Sequence, residues 1–423
     1  MTSSVVREAP SLRYGWHVVS FADILTETRN GLYKHEDSYG RGTPILKMFN
    51  IQRLNGAWVL DRLDRVEISS DEKEDFALRE GDILLNRVNS REWVGKCAVV
   101  TAEVAGAVFE SKNMRLRFNR ALAEPEFIAL WLNGELGRTQ MDGLARQIAG
   151  MATVNKGDLA TLRLPLPPLN EQRRIAARLK TLMAEVTSAR AAAEAQMAAI
   201  RSYLDSALRD AFCDIAPLSI GGSTATPPGW RWRSLLDLAR LETGHTPSRN
   251  HPEWWGGEVP WIALPDIRRL DCREANETLE RTNAEGLANS SARLLPPGTV
   301  CLSRTASVGF VTILGRAMAT SQDFVNWICR RELDPWFLLW ALRASREFIR
   351  SQSTGAIHKT VYLPVAKSFE ICAPPLAEQK RIGARLCEQF AEIERARAAA
   401  DIQLKTIAAL PGAYLREAFA VNV

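Results

Sequence analysis

The stretch Pro168-Leu169-Asn170-Glu171-Gln172-Arg173-Arg174-Ile175 occurs a second time, slightly altered, as Pro375-Leu376-Ala377-Glu378-Gln379-Lys380-Arg381-Ile382. The offset is 207 residues, and it persists without a gap to Phe212 in the first copy and Phe419 in the second. Two copies of a long segment indicate a duplicated two-part unit, because a solenoid needs about three or more stacked repeats. We therefore interpret the chain as two variable segments, each followed by one copy of the repeat.

Apolar residues recur at steps of three and four residues in both copies of the repeat. They include Ile175, Leu179 and Val186 in the first copy, and Ile382 and Leu386 in the second. This spacing places one apolar stripe on a helix, so each copy is predicted to form a single long helix. The alanine-rich centre of each helix permits close approach, and we expect the two helices to pack as an antiparallel coiled coil.

One dipeptide distinguishes the second copy of the repeat from the first. Pro411-Gly412 stands where the first copy has Leu204-Asp205. Proline lacks a backbone N–H donor and clashes with the preceding helical turn, so the pair predicts a kink or a break after Leu410. The two helices are therefore expected to differ in how far they extend.

Each variable segment begins with a Gly-Trp pair, at residues 15–16 and 229–230. Glycine- and proline-rich stretches then alternate with short β-branched runs, which predicts short strands joined by turns. We predict an α+β fold with a pseudo-two-fold internal repeat, in which two β-rich mixed domains are each followed by a long helix. The predicted boundaries are 1–165 for the first domain, 166–212 for the central helix, 213–229 for a linker, 230–373 for the second domain and 374–423 for the distal helix.

Composition and charge narrow the class of protein. The 423 residues are too many for one ordinary core, and the net charge of +5 favours an acidic partner only mildly. No apolar run approaches the ~18 residues of a membrane span, and the N-terminus lacks the apolar core of a secretory signal. The seven cysteines form no Cys-x-x-Cys pair, which argues against a disulfide framework and a zinc site. We expect a cytoplasmic protein without a membrane segment, a metal or a cofactor.

The chain resembles the specificity (S) subunits of type I restriction–modification systems. The resemblance rests on the Pro-Leu-x-Glu-Gln-x-Arg-Ile openings at 168–175 and 375–382, the Gly-Trp starts, and the Gly-Asp-Ile-Leu run at 81–84 with its counterpart at 298–301. It implies that each variable segment is a target recognition domain for half of a bipartite, asymmetric site in double-stranded DNA. It also implies that the helices separate the two domains and dock two methyltransferase (M) subunits, and that restriction (R) subunits join this core.

Polar loops inside the variable segments are the candidate DNA contacts. Arg and Asn side chains suit bidentate hydrogen bonds to guanine and adenine edges, and Lys and Arg suit phosphates. The candidates in the first segment are Arg87, Asn89, Arg91, Lys112, Asn113, Gln147 and Lys156. Those in the second are Arg249, Arg304, Ser307, Gln322, His358, Lys359 and Thr360. For each of them the alternative is an ordinary solvated or structural turn.

The candidates for partner docking lie at the start of the two helices. They are Glu171, Gln172, Arg174, Glu378, Gln379 and Arg381. Because both copies retain this cluster, it could fix each helix to its own domain or dock the methyltransferase. The plainer alternative is capping and ion pairing within one helical turn.

Two other functions remain open, namely a self-contained DNA methyltransferase or nuclease, and a coiled-coil scaffold with no role on DNA. An amino-methyltransferase needs an Asn/Asp-Pro-Pro-aromatic loop, and no Pro-Pro pair here has those neighbours. A Gly-x-x-x-x-Gly-Lys-Ser/Thr phosphate loop is also missing, because Gly95-Lys96 continues into Cys97. The sequence therefore favours a non-catalytic subunit.

Overall fold

The computed structural model describes residues 14–52, 56–148, 150–221, 226–355 and 359–420. The described residues form two compact units. The first unit contains those up to Glu194 together with those from Ile402 onward, and the second unit runs from Ala195 to Asp401. Among the described residues, no helix is both long and apolar enough to cross a membrane.

The first unit mixes short strands with short helices before its long helix begins. Its strands are β1 (His17–Ser20), β2 (Leu25–Asn30), β3 (Tyr39–Leu46), β4 (Asp64–Val66), β5 (Ile83–Asn86), β6 (Val88–Asn89), β7 (Cys97–Val99), β8 (Val108–Phe109), β9 (Asn113–Phe118), β10 (Arg146–Ile148), β11 (Met151–Thr153) and β12 (Arg163–Leu166). Its helices are α1 (Phe21–Ile24), α2 (Ser70–Phe76), α3 (Pro125–Asn133), α4 (Glu135–Leu144), α5 (Lys156–Ala160) and the first part of α6 (Leu169–Ala211).

Two sheets carry the core of the first unit. A four-stranded antiparallel sheet has the order β2-β9-β5-β7, and a three-stranded sheet has the order β4-β3-β8 with β3 and β8 parallel. Leu85 and Leu116 of the larger sheet belong to one buried cluster with Phe127 and Trp131 of α3. Leu84, on the opposite face of β5, lies in a second buried cluster, so both faces of this central strand are covered.

The second unit is built from the same kinds of element. Its strands are β13 (Leu218–Ile220), β14 (Arg231–Ser234), β15 (Ala239–Thr243), β16 (Trp255–Ile262), β17 (Glu274–Ala275), β18 (Glu280–Thr282), β19 (Val300–Ser303), β20 (Val311–Leu314), β21 (Ala319–Thr320), β22 (Phe324–Cys329) and β23 (Phe369–Ala373). Its helices are the end of α6, then α7 (Leu235–Leu238), α8 (Leu264–Arg269), α9 (Ala284–Ala288), α10 (Pro335–Ala344), α11 (Arg346–Ser351), α12 (Leu363–Lys367) and most of α13 (Leu376–Phe419).

The sheets of the second unit repeat the topology of the first. The larger sheet has the order β15-β22-β19-β20 with β17 added beside β20, and the smaller has the order β18-β16-β21 with β16 and β21 parallel. The pairing even shifts at the same place, between Tyr39 and Thr43 in the first unit and between Trp255 and Val259 in the second. The two variable segments therefore share one topology, which confirms the predicted internal repeat.

The two long helices contact each other within each unit. At 1.5 Å per residue, α6 and α13 are each about 65 Å long. In the first unit, Arg178 near the start of α6 lies 3.4 Å from Glu417 near the end of α13. In the second unit, Leu208 near the end of α6 shares a buried cluster with Leu386 near the start of α13. The directions are opposite in both units, which confirms the antiparallel packing.

Helix α13 runs unbroken from Leu376 to Phe419, with Pro411 inside it. Of the kink or break expected after Leu410, the break is therefore wrong. Beyond the proline, Leu415 and Phe419 are buried in the core of the first unit, and the Phe419 ring centroid lies 5.2 Å from that of Phe127. Burying two such side chains stabilises the last turns by about 1.5–3 kcal/mol each, enough to offset the ~3 kcal/mol cost of an internal proline.

Part of the segment predicted as a linker is structured. Directly after α6, Cys213 and Asp214 adopt left-handed backbone conformations, with φ of 54° and 58°. The backbone N–H of Asp214 donates to the carbonyl of Arg209 at 2.8 Å, which ends the helix. The chain then forms β13, which pairs antiparallel with β23. Residues 213–229 therefore contribute a strand to the second unit.

Candidate functional sites

The loop that follows β5 brings three predicted DNA-contact segments of the first unit together. The backbone N–H of Arg87 donates to the carbonyl of Lys112 at 2.9 Å, and the N–H of Val154 donates to the carbonyl of Arg87 at 2.9 Å. Strand β6 also pairs with β11, which places Asn89 opposite Ala152. The loop after β5, the segment at 112–113 and the segment at 147–156 therefore meet at one edge of the domain.

Hydrogen bonds between asparagine side chains hold this loop in place. Nδ2 of Asn86 donates to Oδ1 of Asn113 at 3.1 Å, and Nδ2 of Asn89 donates to Oδ1 of Asn86 at 2.7 Å. Asn113 is fully buried, and its own Nδ2 donates to the carbonyl of Leu46. The structure therefore places Asn113 inside the domain, where it positions the loop.

The basic candidates of the first unit differ in accessibility. Arg87 is half-buried, its Nη1 donates to the carbonyl of Ser111 at 3.2 Å, and burial lowers the pKa of its guanidinium. Arg91, Gln147 and Lys156 are exposed, and Lys112 is partly exposed. The exposed side chains are available to a ligand, whereas Arg87 is engaged with the backbone.

The second unit assembles its predicted segments in the same way. The N–H of Arg304 donates to the carbonyl of Asp323 at 2.8 Å, and the N–H of Val361 donates to the carbonyl of Arg304 at 2.8 Å. Nε of Arg304 donates to the carbonyl of Gln322 at 3.0 Å. Arg304 therefore occupies the place of Arg87, down to its contact with a neighbouring backbone carbonyl.

The other candidates of the second unit fall into two groups. Gln322 and Lys359 are exposed beside the Arg304 loop, and Thr360 forms a β-bridge with Thr305 of that loop. Ser307 is buried, and its hydroxyl accepts a hydrogen bond from Nε of Arg268 at 3.1 Å. His358 lies outside the described residues.

Arg249 belongs to a separate cluster in the second unit. Its guanidinium forms two hydrogen bonds with the carboxylate of Glu280, at 2.7 and 2.8 Å, and lies 3.8 Å from the centroid of the Trp255 ring. The ion pair raises the pKa of Arg249 and lowers that of Glu280. The charge of Arg249 is matched within the domain while its side chain stays 52% exposed, so its contact with DNA stays a prediction.

Sequence reasoning missed Arg138 of α4. Its Nη1 donates to the carbonyl of Val94 at 2.9 Å and its Nη2 to the carbonyl of Glu92 at 2.8 Å. These bonds hold the distal part of the loop after β5. Nothing in the sequence marks this arginine, because its partners are backbone atoms more than forty positions earlier.

Gln172 fixes the start of α6 to the first variable segment. Its side chain is fully buried. Nε2 donates to the carbonyls of Leu122 at 2.9 Å and Pro167 at 2.8 Å, and Oε1 accepts from the N–H of Glu124 at 2.8 Å. All three of these hydrogen bonds are made within the first unit. Gln172 is therefore a joint between α6 and the residues before α3.

Gln379 repeats this joint in the second unit. Nε2 donates to the carbonyls of Glu332 at 3.1 Å and Pro374 at 2.9 Å, and Oε1 accepts from the N–H of Asp334 at 2.9 Å. Glu332 and Asp334 immediately precede α10, as Leu122 and Glu124 precede α3. The duplicated glutamines therefore fasten each long helix to its own domain by the same three hydrogen bonds.

The charged members of the duplicated cluster lie on the surface. Arg174 forms two hydrogen bonds with Glu171, at 2.8 and 2.6 Å, and the Arg174 side chain is 66% exposed. Arg381 and Glu378 form the same pair, in which hydrogen bonding and the arginine charge lower the pKa of the Glu378 carboxyl. Exposed ion pairs contribute little to stability, roughly 0–1 kcal/mol, so folding alone does not explain why both copies retain them.

Comparison with known proteins assigns the family. The family model of the type I restriction modification DNA specificity domain matches residues 14–194 and again residues 227–401. The chain belongs to this family. The two matches also coincide with the duplication, since each contains one variable segment and the start of one long helix.

Curated relatives of the chain are specificity subunits. A putative type I restriction enzyme MjaX specificity subunit from Methanocaldococcus jannaschii is 23% identical over 386 residues, which cover 90% of this chain and 88% of that protein. The EcoKI specificity subunit of Escherichia coli K12 is 28% identical over 198 residues, which cover 46% of this chain and 42% of that protein. The family-level prediction made from the duplicated motifs is therefore confirmed.

Solved structures agree on the fold. The HsdS subunit from Thermoanaerobacter tengcongensis superposes with a TM-score of 0.63 at 21% identity, covering 97% of this chain and 98% of that one. A chain from a study of complex assembly and conformational transition in the type I R-M system superposes with a TM-score of 0.74 at 21% identity, covering 97% and 99%. These similarities confirm two mixed domains with long helices.

Proposed function

We propose that this chain is the DNA-specificity subunit of a type I restriction–modification complex in the cytoplasm. Its two variable segments read the two halves of an asymmetric, bipartite site in double-stranded DNA. Its long helices dock two methyltransferase subunits, and restriction subunits join the complex through them. The chain itself performs no catalysis in this proposal. The membership of the family and the specificity-subunit names of the relatives support it.

DNA reading is supported by one observation: the two units share the same loop arrangement but differ in the side chains that the loops expose. Arg87 and Arg304 occupy one structural position and bond backbone carbonyls in both. Around them, the exposed groups differ, with Arg91 and Gln147 in the first unit and Lys359 in the second. A shared scaffold with unlike polar surfaces is what two different half-sites require, because base identity is read by the donors and acceptors of side chains.

The observation that supports docking is identity between charged, solvent-accessible residues of the two helices. Core packing accounts for identical apolar residues, whereas solvated positions are free to diverge. Among the six identical charged positions, Arg178 and Arg385 pair with acidic residues of the other long helix, whereas steps of three and eleven residues keep three others on one helical face. In α6 these are Glu171, Arg174 and Glu185, and in α13 they are Glu378, Arg381 and Glu392. We call these two sets the repeated charged faces.

A face that occurs twice suits two copies of one partner. The pairs Glu171–Arg174 and Glu378–Arg381 have matching geometry as well as matching sequence. Gln172 and Gln379 are buried in their joints, so they position the charged faces and do not themselves meet a partner. Two methyltransferase subunits, one on each face, would satisfy this duplication.

Expression of the chain with the methyltransferase of its own system tests the proposal. Sequencing of methylated bases in those cells should show one asymmetric motif made of two specified parts with an unspecified gap. The chain expressed alone is the control and should give no methylation. A self-contained methyltransferase would methylate in that control, a scaffold would bind the partner without any motif, and one contiguous motif would contradict two readers.

Exchange of the first variable segment separates the two readers. Residues 16–165 replaced by the equivalent segment of another family member should alter one half of the motif only. The exchange must preserve the Gln172 joint. Positions 122 and 124 lie within the exchanged segment, and their backbone groups are the partners of Gln172. A change in both halves would contradict independent reading.

A further inference from the structure

The loop that follows β5 in the first unit and the equivalent loop that follows β19 in the second unit differ in length. In the first unit it is closed by a hydrogen bond from the N–H of Gly95 to the carbonyl of Asn86 at 2.8 Å. In the second unit the N–H of Gly309 donates to the carbonyl of Ser303 at 3.0 Å, which is the same closure. Eight residues lie between the closing pair in the first unit and five in the second. The first unit therefore carries an extension of three residues within one shared loop.

The short loop of the second unit is tied closely to its domain. Ala306 adopts a left-handed conformation with φ of 58°, and its N–H donates to the carbonyl of Lys359. Nε of Arg268 donates to the hydroxyl of the buried Ser307. Arg304 is engaged with the carbonyl of Gln322. This loop presents no long polar side chain free of intradomain bonds.

The extended loop of the first unit presents one long polar side chain that is free of such bonds, that of Arg91. Arg91 is exposed and forms no hydrogen bond or ion pair with any residue that the structure describes. It is the second arginine of the loop, and it differs from Arg87, which is half-buried and bonded to the carbonyl of Ser111. The two arginines therefore have separate tasks.

The backbone that carries Arg91 is held on both sides. The N–H groups of Trp93 and Val94 both donate to the carbonyl of Ser90 at 3.0 Å. Arg138 donates to the carbonyls of Glu92 and Val94. A loop with this many fixed backbone groups loses little further freedom on binding, so only the Arg91 side chain has to be ordered.

A second support lies under the extension. The Nζ of Lys96 is 5.3 Å from the centroid of the Trp93 ring and donates to the carbonyl of Ile51 at 2.8 Å. Lys96 is buried, and burial lowers the pKa of its ammonium group. The indole Nε1 of Trp93 donates to Glu92 at 2.8 Å. Trp93 and Lys96 brace the loop, while the Arg91 side chain is exposed.

We propose that Arg91 is a base-reading residue of the first domain and that it recognises a guanine through the N7 and O6 acceptors in the major groove. A guanidinium fork matches these two acceptors, and each such pair discriminates against a wrong base by roughly 10- to 100-fold. Arg87 and Arg304 instead position the loops. This inference rests on the proposed function and adds which residue of this chain reads, and which base.

The test uses the complex of this chain with its methyltransferase. The wild-type motif is first established by sequencing of methylated bases, and Arg91→Ala is then compared with Arg79→Ala. Arg79 is also exposed in the first unit, but it precedes β5 whereas Arg91 follows it. Arg91→Ala should relax one guanine position in one half-site by tenfold or more and leave the other half-site intact, and Arg79→Ala should leave the motif unchanged.

Replacement of that guanine by 7-deazaguanine in a synthetic duplex sharpens the test. The wild-type complex should lose affinity on this duplex by about tenfold, whereas the Arg91→Ala complex should bind both duplexes equally. An unchanged motif in Arg91→Ala, or a loss of affinity without relaxed specificity, overturns the inference. Absence of any motif with the wild-type chain would instead overturn the proposed function, so the two failures are distinguishable.

Discussion

The backbone N–H of Glu124 donates a hydrogen bond to Oε1 of Gln172 at 2.8 Å, and this contact joins the residue before α3 to the beginning of α6. Asp334 and Gln379 make the same contact at 2.9 Å in the second unit. In each unit one side-chain amide thereby ties the long helix to a short helix, α3 or α10, that begins at the residue after its hydrogen-bond partner. The joint is rigid because every bond in it is buried or half-buried.

Replacement of Gln172 by leucine should destabilise the first unit. Leucine preserves much of the side-chain volume but leaves the N–H of Glu124 and the carbonyls of Leu122 and Pro167 without their partner. Unsatisfied buried groups cost about 1–3 kcal/mol each, and we expect a loss of about 2–4 kcal/mol in the free energy of unfolding. Urea unfolding measures it, with Gln196→Ala as the exposed control on the same helix. Equal stability of both variants would contradict a structural joint.

Charge reversal on the repeated charged faces should reduce partner docking in steps. Arg174→Glu or Arg381→Glu alone should leave one methyltransferase subunit per chain, and the double variant should leave none or bind at least tenfold more weakly. Mass measurement of the complexes gives the stoichiometry. Arg201→Glu is the matched control, because Arg201 is exposed on α6 while the second copy has Ala408 at that position. Two bound partners in the double variant would contradict docking on these faces.

The stability of the first unit should fall in acid. Glu27 bonds Arg117 at 2.6 Å and also bonds the buried Arg115. Burial raises the pKa of Glu27, but the hydrogen bonds and charges of the two arginines outweigh it, and the net pKa lies below the ordinary value. A carboxyl with a lowered folded pKa stabilises the protein above its unfolded pKa of about 4.3, and the contribution is lost as pH falls through the folded pKa.

The variant Glu27→Gln isolates this effect. At pH 7 it should destabilise the protein by about 1–2 kcal/mol, a small value because Glu27 is partly solvent-screened. Below the folded pKa the difference from the wild type should vanish. Thermal unfolding of both proteins from pH 7 to pH 3 measures it. A difference that grows toward acid would carry the wrong sign for this network.

Equal lengthening of the two long helices should widen the unread gap of the DNA site. We propose insertion of two heptads between Glu194 and Ala195 of α6 and between Asp401 and Ile402 of α13, which are the chain boundaries of the two compact units. Both half-sites should keep their sequence, since no recognition loop changes. Sequencing of methylated bases gives the gap. An unchanged gap would show that helix length does not set the spacing of the two half-sites. Insertion in α6 alone serves as the mismatched control.

Sequence periodicity was sufficient for the long helices and for the order of the domains. Ile175 and Leu179, one turn apart, report a helix through local spacing alone. It was insufficient at Pro411, where the local signal predicts a kink or a break and the helix continues unbroken to the buried Leu415 and Phe419. It also could not separate Asn113, which is fully buried, from the exposed Arg91, because both are polar residues in predicted loops.

The amino-acid sequence by itself determined that this protein is a duplication of one domain and one helix, because identity at a constant offset and a 3.6-residue period are properties of neighbouring positions. Only the tertiary structure decided which polar side chains hold the loops and which remain for a ligand. Nη1 of Arg87 donates to the carbonyl of Ser111, whereas the Arg91 side chain is exposed. Such pairings form between distant positions, and they alone distinguish a structural arginine from one at the surface.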